Sequence, residues 1–248
     1  METHTFDIVK EMHRLVDAAN EKNIQLRTIG GLAVQAHNKK NHPLFKREYG
    51  DLDFVIASRQ RKEFEAFMPG VDYSPHKKFN ILNGDQRQIY YHNGSDMKID
   101  IFVGDFEMCH KIPLEDRLKF DPVTIPLAEL FLSKAQIVEL NHKDALDLTS
   151  ILFNNETGYD DVEKINLKII AQLCSADWGL YKTTSINLGR VEELAGKELS
   201  EDERDIILSR VREIQKSFAE MPKTIAWQLR DRVGTRVKWY MEVEEVAR

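Results

Sequence analysis

The run IGGLAV at residues 29 to 34, followed by REYGDLDFVI at 47 to 56 and MKIDIFV at 97 to 103, constrains this chain more than any other feature. It sets three carboxylates beside a glycine turn. Side chains on a strand alternate faces, so Asp51 and Asp53 point the same way while Leu52, Phe54 and Ile56 turn the other way into a core. Two like charges on a strand of Leu, Phe, Val and Ile are costly to desolvate unless a cation neutralises them. A divalent metal is the simplest remedy. Hard oxygen donors without nearby His or Cys suit magnesium or manganese rather than zinc. Magnesium usually takes one or two carboxylates together with water and substrate phosphates. That chemistry points to a nucleoside triphosphate. Gly30 and Gly31 stand between an apolar run at 24 to 29 and a helix-like segment beginning near Leu32. Their backbone amides are open to an anion because no Cβ stands in the way.

With Gly30, Gly31, Asp51, Asp53 and Asp100 in this order, the chain resembles the nucleotidyltransferase superfamily. The shared pattern of that family is a strand, a Gly-Gly or Gly-Ser turn, a helix, a strand carrying Asp-x-Asp, and a third Asp on a later strand. Arg47 also fits the Arg-x-Thr-x-Asp-x-Asp form of the antibiotic nucleotidyltransferases and the abortive-infection nucleotidyltransferase toxins, with Tyr49 in the place of Thr. The separation between Gly31 and Asp51 is longer than is common in the family. AHNKKNHPLFK fills the gap and is read as a loop insertion around Pro43. The resemblance implies that Asp51 and Asp53 hold magnesium (or manganese) bridging the triphosphate, and that Asp100 binds a second ion and accepts the proton of an attacking hydroxyl. It further implies that Gly30 and Gly31 fix the triphosphate, and that Arg47 steadies the metal strand or contacts phosphate.

The expected fold class is α+β, a small mixed sheet flanked by helices and followed by a helical C-terminal region. A core over residues 1–125 and a helical region over 126–248 are expected, with the helices of 126–155 packed on the core. Helices are expected at 5 to 22 (Phe6, Val9, Met12 and Val16 on one face), from 31 to about 38, and at 59 to 68; strands at 24 to 29 and 51 to 57. Runs at 79 to 83, 87 to 92 and 97 to 103, broken by Asn-Gly turns, read as antiparallel strands. From Pro126 helix starts are marked at Pro126, Asn141, Ser200 and Pro222.

The segment LAELFLSKAQIVEL, 127 to 140, carries a second chemical clue. Leu127, Leu130, Phe131 and Val138 form one stripe on a helical wheel with Lys134 in its middle. Either the ammonium snorkels out or pairs with a carboxylate for structure, or it holds triphosphate oxygens. The toxins that the chain resembles have a Lys on the helix after the sheet, followed by a Lys/Arg-Asp-x-x-Asp segment, here Lys143, Asp144 and Asp147. Asp144 can orient Lys134 or sit in a first turn capped by Asn141, where the helix dipole favours a carboxylate. Asp147 lies nearer the polar side of its helix.

With 248 residues, 42% hydrophobic and 31% charged, the chain can bury a sizeable core. No apolar run reaches membrane-spanning length and the N-terminus is amphipathic, so no membrane association and a cytoplasmic location are expected. Cys109 and Cys174 lack metal-ligand spacing and read as reduced, partly buried thiols. His37, His42 and His76 read as surface histidines, Trp178, Trp227 and Trp239 as core. Arg230, Arg232, Arg236 and Lys238 read as a solvated helix face, since the net charge is -6. The expected activity is transfer of a nucleoside monophosphate from an NTP to a hydroxyl of a small molecule, RNA or protein. The alternatives are a nucleotide-binding regulator that has lost transfer and a toxin–antitoxin-associated module.

Overall fold

The computed structural model describes residues 7 to 242. The chain is α+β, with ten α-helices and a five-stranded mixed sheet among the described residues. It divides into two units, one formed by residues 1–36, 47–106 and 113–126, the other by 37–46, 107–112 and 127–248.

The first unit opens with α1 (Ile8–Glu21), capped by Asp7, whose carboxylate accepts from the Lys10 amide. Met12, Leu15, Val16 and Ala19 form its buried face. Val9 is exposed instead of sharing that face, and Phe6 lies outside the described residues. Then follow β1 (Arg27–Ile29), α2 (Gly30–Ala36), β2 (Leu52–Ile56), α3 (Arg61–Phe67), β3 (Tyr73–Pro75), α4 (Lys77–Asn83), β4 (Arg87–His92) and β5 (Lys98–Val103). The sheet order is β1-β2-β5-β4-β3. β2 and β5 pair in parallel and every other neighbour is antiparallel. Leu52, Phe54 and Ile56 of β2 and Ile99, Ile101 and Val103 of β5 join the α1 face, Tyr73 and Tyr90 in one core.

Two sequence expectations are corrected in this unit. Residues 79 to 83 are not a strand. They end α4, because His76 caps the helix by accepting from the Phe79 amide, and the Asn80 side chain ties that helix to β4 by accepting from the Ile89 amide and donating to the Ile89 carbonyl. The place beside β4 belongs to β3. The strand expected at 24 to 29 begins only at Arg27, since the Leu26 amide bonds back to the Ile24 carbonyl.

After the short strands β6 (Phe106–Glu107) and β7 (Lys111–Ile112), the second unit holds α5 (Leu127–Ala135), α6 (His142–Asn154), β8 (Glu156–Gly158), β9 (Lys164–Asn166), α7 (Leu167–Ala176), α8 (Trp178–Glu198), α9 (Glu201–Glu220) and α10 (Ile225–Val233). Asn141 caps α6 and a Ser200/Glu203 capping box starts α9, as those residue types dictate. The last helix starts after Thr224, later than Pro222 suggested. Helix α5 packs against α6, α7, α8 and β9 and is buried on nearly every side. It stops at Ala135, well short of 140. Asn187 of α8 donates to the carbonyls of Ala135 and Ile137, and Arg190 donates to that of Val138, satisfying the groups that a helix end leaves open.

The insertion that lengthens the Gly31 to Asp51 spacing has its contacts here. Phe45, on a 3-10 turn at Pro43–Phe45, meets Phe153 of α6 at 5.6 Å between ring centroids. Lys40 donates to the Phe153 carbonyl and His42 pairs with Glu203 at 3.3 Å. An apparent excess of loop is a docked segment of the helical unit.

Candidate active site

Strand register builds the site. Ile29, the last residue before the glycine turn, is the partner of Asp53, and Asp53 is the partner of Asp100. Three adjacent strands therefore bring one glycine turn and two carboxylates into a single row. Asp51 stands just before β2 and is exposed, Asp53 is half-buried and Asp100 is buried.

The glycines are there for space. Gly30 has φ +76°, and a Cβ on it would lie 2.8 Å from Asp53 Oδ2. A Cβ on Gly31 would fall 2.5 Å from the Arg47 guanidinium and 3.0 Å from the Tyr49 ring. Both expected turn residues are thus in contact with the acid strand and its leading arginine, a close approach that only glycine permits. Arg47 stacks on Tyr49 at 4.3 Å, and the Tyr49 hydroxyl donates to Gln35 of α2 at 3.2 Å. The tyrosine is a platform for the arginine.

Asp100 has two basic partners that the sequence had not singled out. Arg87 reaches Oδ1 with Nε at 3.0 Å and Nη2 at 2.9 Å, and Lys98 reaches Oδ2 at 2.9 Å. The Lys-x-Asp spacing of residues 98 and 100 was visible and puts both on one strand face. Arg87 comes from another strand, and only register reveals it.

A divalent metal fits this donor set in a limited way. Among the described residues no group of three or more His, Cys, Asp or Glu side chains converges as a ready cage. An all-carboxylate set at Asp51 and Asp53 nevertheless matches how magnesium is held, by one or two carboxylates completed by water and phosphate oxygens. Asp100 has both oxygens ion-paired, so a metal there would compete with Arg87 and Lys98.

Lys134 lies in the second unit and is 11% exposed, with Asp144 at 3.0 Å and Asp147 at 2.9 Å. Burial by itself would lower the ammonium, yet Asp147 and Asp144 together outweigh it and hold it above the usual lysine range. Asp147 is buried, not near the polar side, and is as much a partner as Asp144. Asp144 also fills the first-turn place, its amide donating to Asn141. The remaining conspicuous residues are structural: Trp178 and Trp227 are buried, and Arg230 closes the turn after α10 on three carbonyls. Cys109 and Cys174 are free and buried, and burial pushes the Cys174 thiol up. His110 was not singled out. It is buried, with Nε2 against the Thr183 hydroxyl at 2.8 Å and Nδ1 3.8 Å from Asp177.

No family model and no curated protein matches the chain. Among the solved structures similar to it are two nucleotidyltransferase or nucleotidyltransferase-like proteins. One is the nucleotidyltransferase ANT(2'')-Ia in complex with adenylyl-2''-tobramycin, at 14% identity and a TM-score of 0.42, over 73% of this chain and 97% of that one. The other is an antigenic nucleotidyltransferase-like protein from Paracoccidioides brasiliensis, at 13% identity and a TM-score of 0.44, over 90% of this chain and 96% of that one.

Proposed function

We propose that the chain is a magnesium-dependent nucleotidyltransferase that moves a nucleoside monophosphate from an NTP to a hydroxyl acceptor. The observation that carries this is the row Gly30, Asp53, Asp100: Ile29, Asp53 and Asp100 are register partners on three adjacent strands, and Gly30, which follows Ile29, approaches Asp53 so closely that a Cβ on it would lie 2.8 Å from Oδ2. A turn kept open by Gly30 and Gly31 would seat the triphosphate, and Arg47, braced on Tyr49, would contact its oxygens. Asp51 and Asp53 would hold magnesium (or manganese), which supplies Lewis-acid stabilisation of charge on the phosphates. The acceptor oxygen bonds to the α-phosphorus, the bond to the β-phosphate oxygen breaks, and pyrophosphate departs with the electron pair. Asp100 would take the hydroxyl proton. Lys134 would serve α5 and α6 as the centre of an ion triad.

The acceptor is proposed only by class: a small molecule, RNA or protein hydroxyl. Label transfer from each α-labelled triphosphate with magnesium, in a cell lysate, tests the proposal. A labelled product is expected with the wild type and not with an Asp51→Ala, Asp53→Ala double variant, and its nature names the acceptor class. Equal labelling by both proteins would refute the carboxylate assignment.

A further inference from the structure

Lys98, Asp100 and Phe102 share one face of β5, while Ile99, Ile101 and Val103 point into the core. β4 lies antiparallel beside them with Arg87 opposite Phe102, one step along that face from Asp100. The Arg87 guanidinium lies over the Phe102 ring at 5.3 Å, donates from Nε to Oδ1 and holds Nη2 2.9 Å from the same oxygen. Lys98 takes Oδ2. A carboxylate only 6% exposed is thus held at both oxygens by two cations that themselves remain about a third exposed, 30% and 36%. One base would neutralise Asp100. The second is surplus to that acid, and both reach solvent from the face where Asp53 stands.

Resting on the function proposed above, we infer that Arg87 and Lys98 are a latch on Asp100 and a reserve for polyphosphate. They occupy the carboxylate while no metal is bound. With a metal held at Asp100, the base on the oxygen it takes, Arg87 at Oδ1 or Lys98 at Oδ2, would be released to phosphate oxygens, so that metal and polyanion would be admitted together. A cation within about 4 Å of a second cation in a partly solvated site opposes it strongly enough to be read as a change in affinity.

Two probes test this without turnover: manganese alone, and inorganic tripolyphosphate in excess chelator. In an Arg87→Gln, Lys98→Gln variant manganese is expected to bind about tenfold tighter than in the wild type while tripolyphosphate binds about tenfold more weakly. In Asp100→Asn, which frees both bases, metal-free tripolyphosphate is expected to bind about tenfold tighter than in the wild type. Arg87→Lys, which keeps the charge, is expected to restore most of the wild-type behaviour. Loss of structure would weaken both probes in every variant, so the opposite signs are the signature. Manganese no tighter in the double variant, or tripolyphosphate no tighter in Asp100→Asn, overturns the latch. These shifts in a protein that transfers no label would support the latch and count against the transferase.

Discussion

At the scale of single residues, the site is governed by close approach. Gly30 in the left-handed region beneath Asp53 Oδ2 cannot accept a Cβ without moving the carboxylate or the turn. Gly30→Ala is therefore expected to destabilise the fold by about 1–3 kcal/mol, read as a drop in the urea midpoint, and to impair nucleotide binding beyond what unfolding explains. Gly31→Ala displaces the flexible Arg47 guanidinium and crowds the Tyr49 ring that supports it, so its main effect is expected on triphosphate affinity in titration calorimetry. His110 gives a pH dependence. Burial holds it below the usual histidine range, with the Asp177 carboxylate pulling the other way. The unfolded chain therefore binds a proton before the folded one does. Stability is expected to be full above the unfolded value near 6.5 and to decline as pH falls from there through the folded value. Denaturant melts at pH 7.5 and 5.5 should show that decline, and His110→Gln should flatten it.

At the scale of elements, α5 and α6 are joined by Lys134 between Asp144 and Asp147. Removing the lysine leaves two carboxylates without their cation in a largely buried place. Lys134→Met is expected to cost about 3–5 kcal/mol, and adding Asp144→Asn and Asp147→Asn should recover most of it. Calorimetric melting distinguishes the two. Because the folded ammonium is held above the usual lysine range, this contribution is expected to be complete at neutral pH and lost only as pH rises through that elevated value. The same elements show what a sequence can disclose. Capping residues Asn141 and Ser200 marked their helix starts because a cap is a local bond. Alternation around Asp53 and Asp100 marked two strands for a similar reason. The end of α5 was hidden, since it depends on Asn187 and Arg190 some fifty positions along the chain. So was the helical state of 79 to 83, decided by Asn80 bonding to another strand.

At the scale of the whole molecule, the acids were legible and their counter-ions were not. Asp51, Asp53 and Asp100 stand in motifs, whereas Arg87 gains its meaning only when β4 pairs with β5. The insertion of 37–46 reads as surplus in sequence and docks in the helical unit through Phe45 and Phe153. Phe45→Ala is expected to destabilise that unit by about 3–5 kcal/mol, seen as a lowered melting temperature. The central claim concerns chemistry at the aspartate row. Its most direct test is pyrophosphate release by the purified chain from each NTP with magnesium and a lysate acceptor fraction, wild type against Asp53→Asn. Acceptor-dependent release by the wild type, reduced at least a thousandfold in the variant, on the order expected for loss of a metal-holding group in phosphoryl transfer, is the predicted result. Nucleotide binding by the wild type with no release above the variant's would contradict it and leave a nucleotide-binding module in its place.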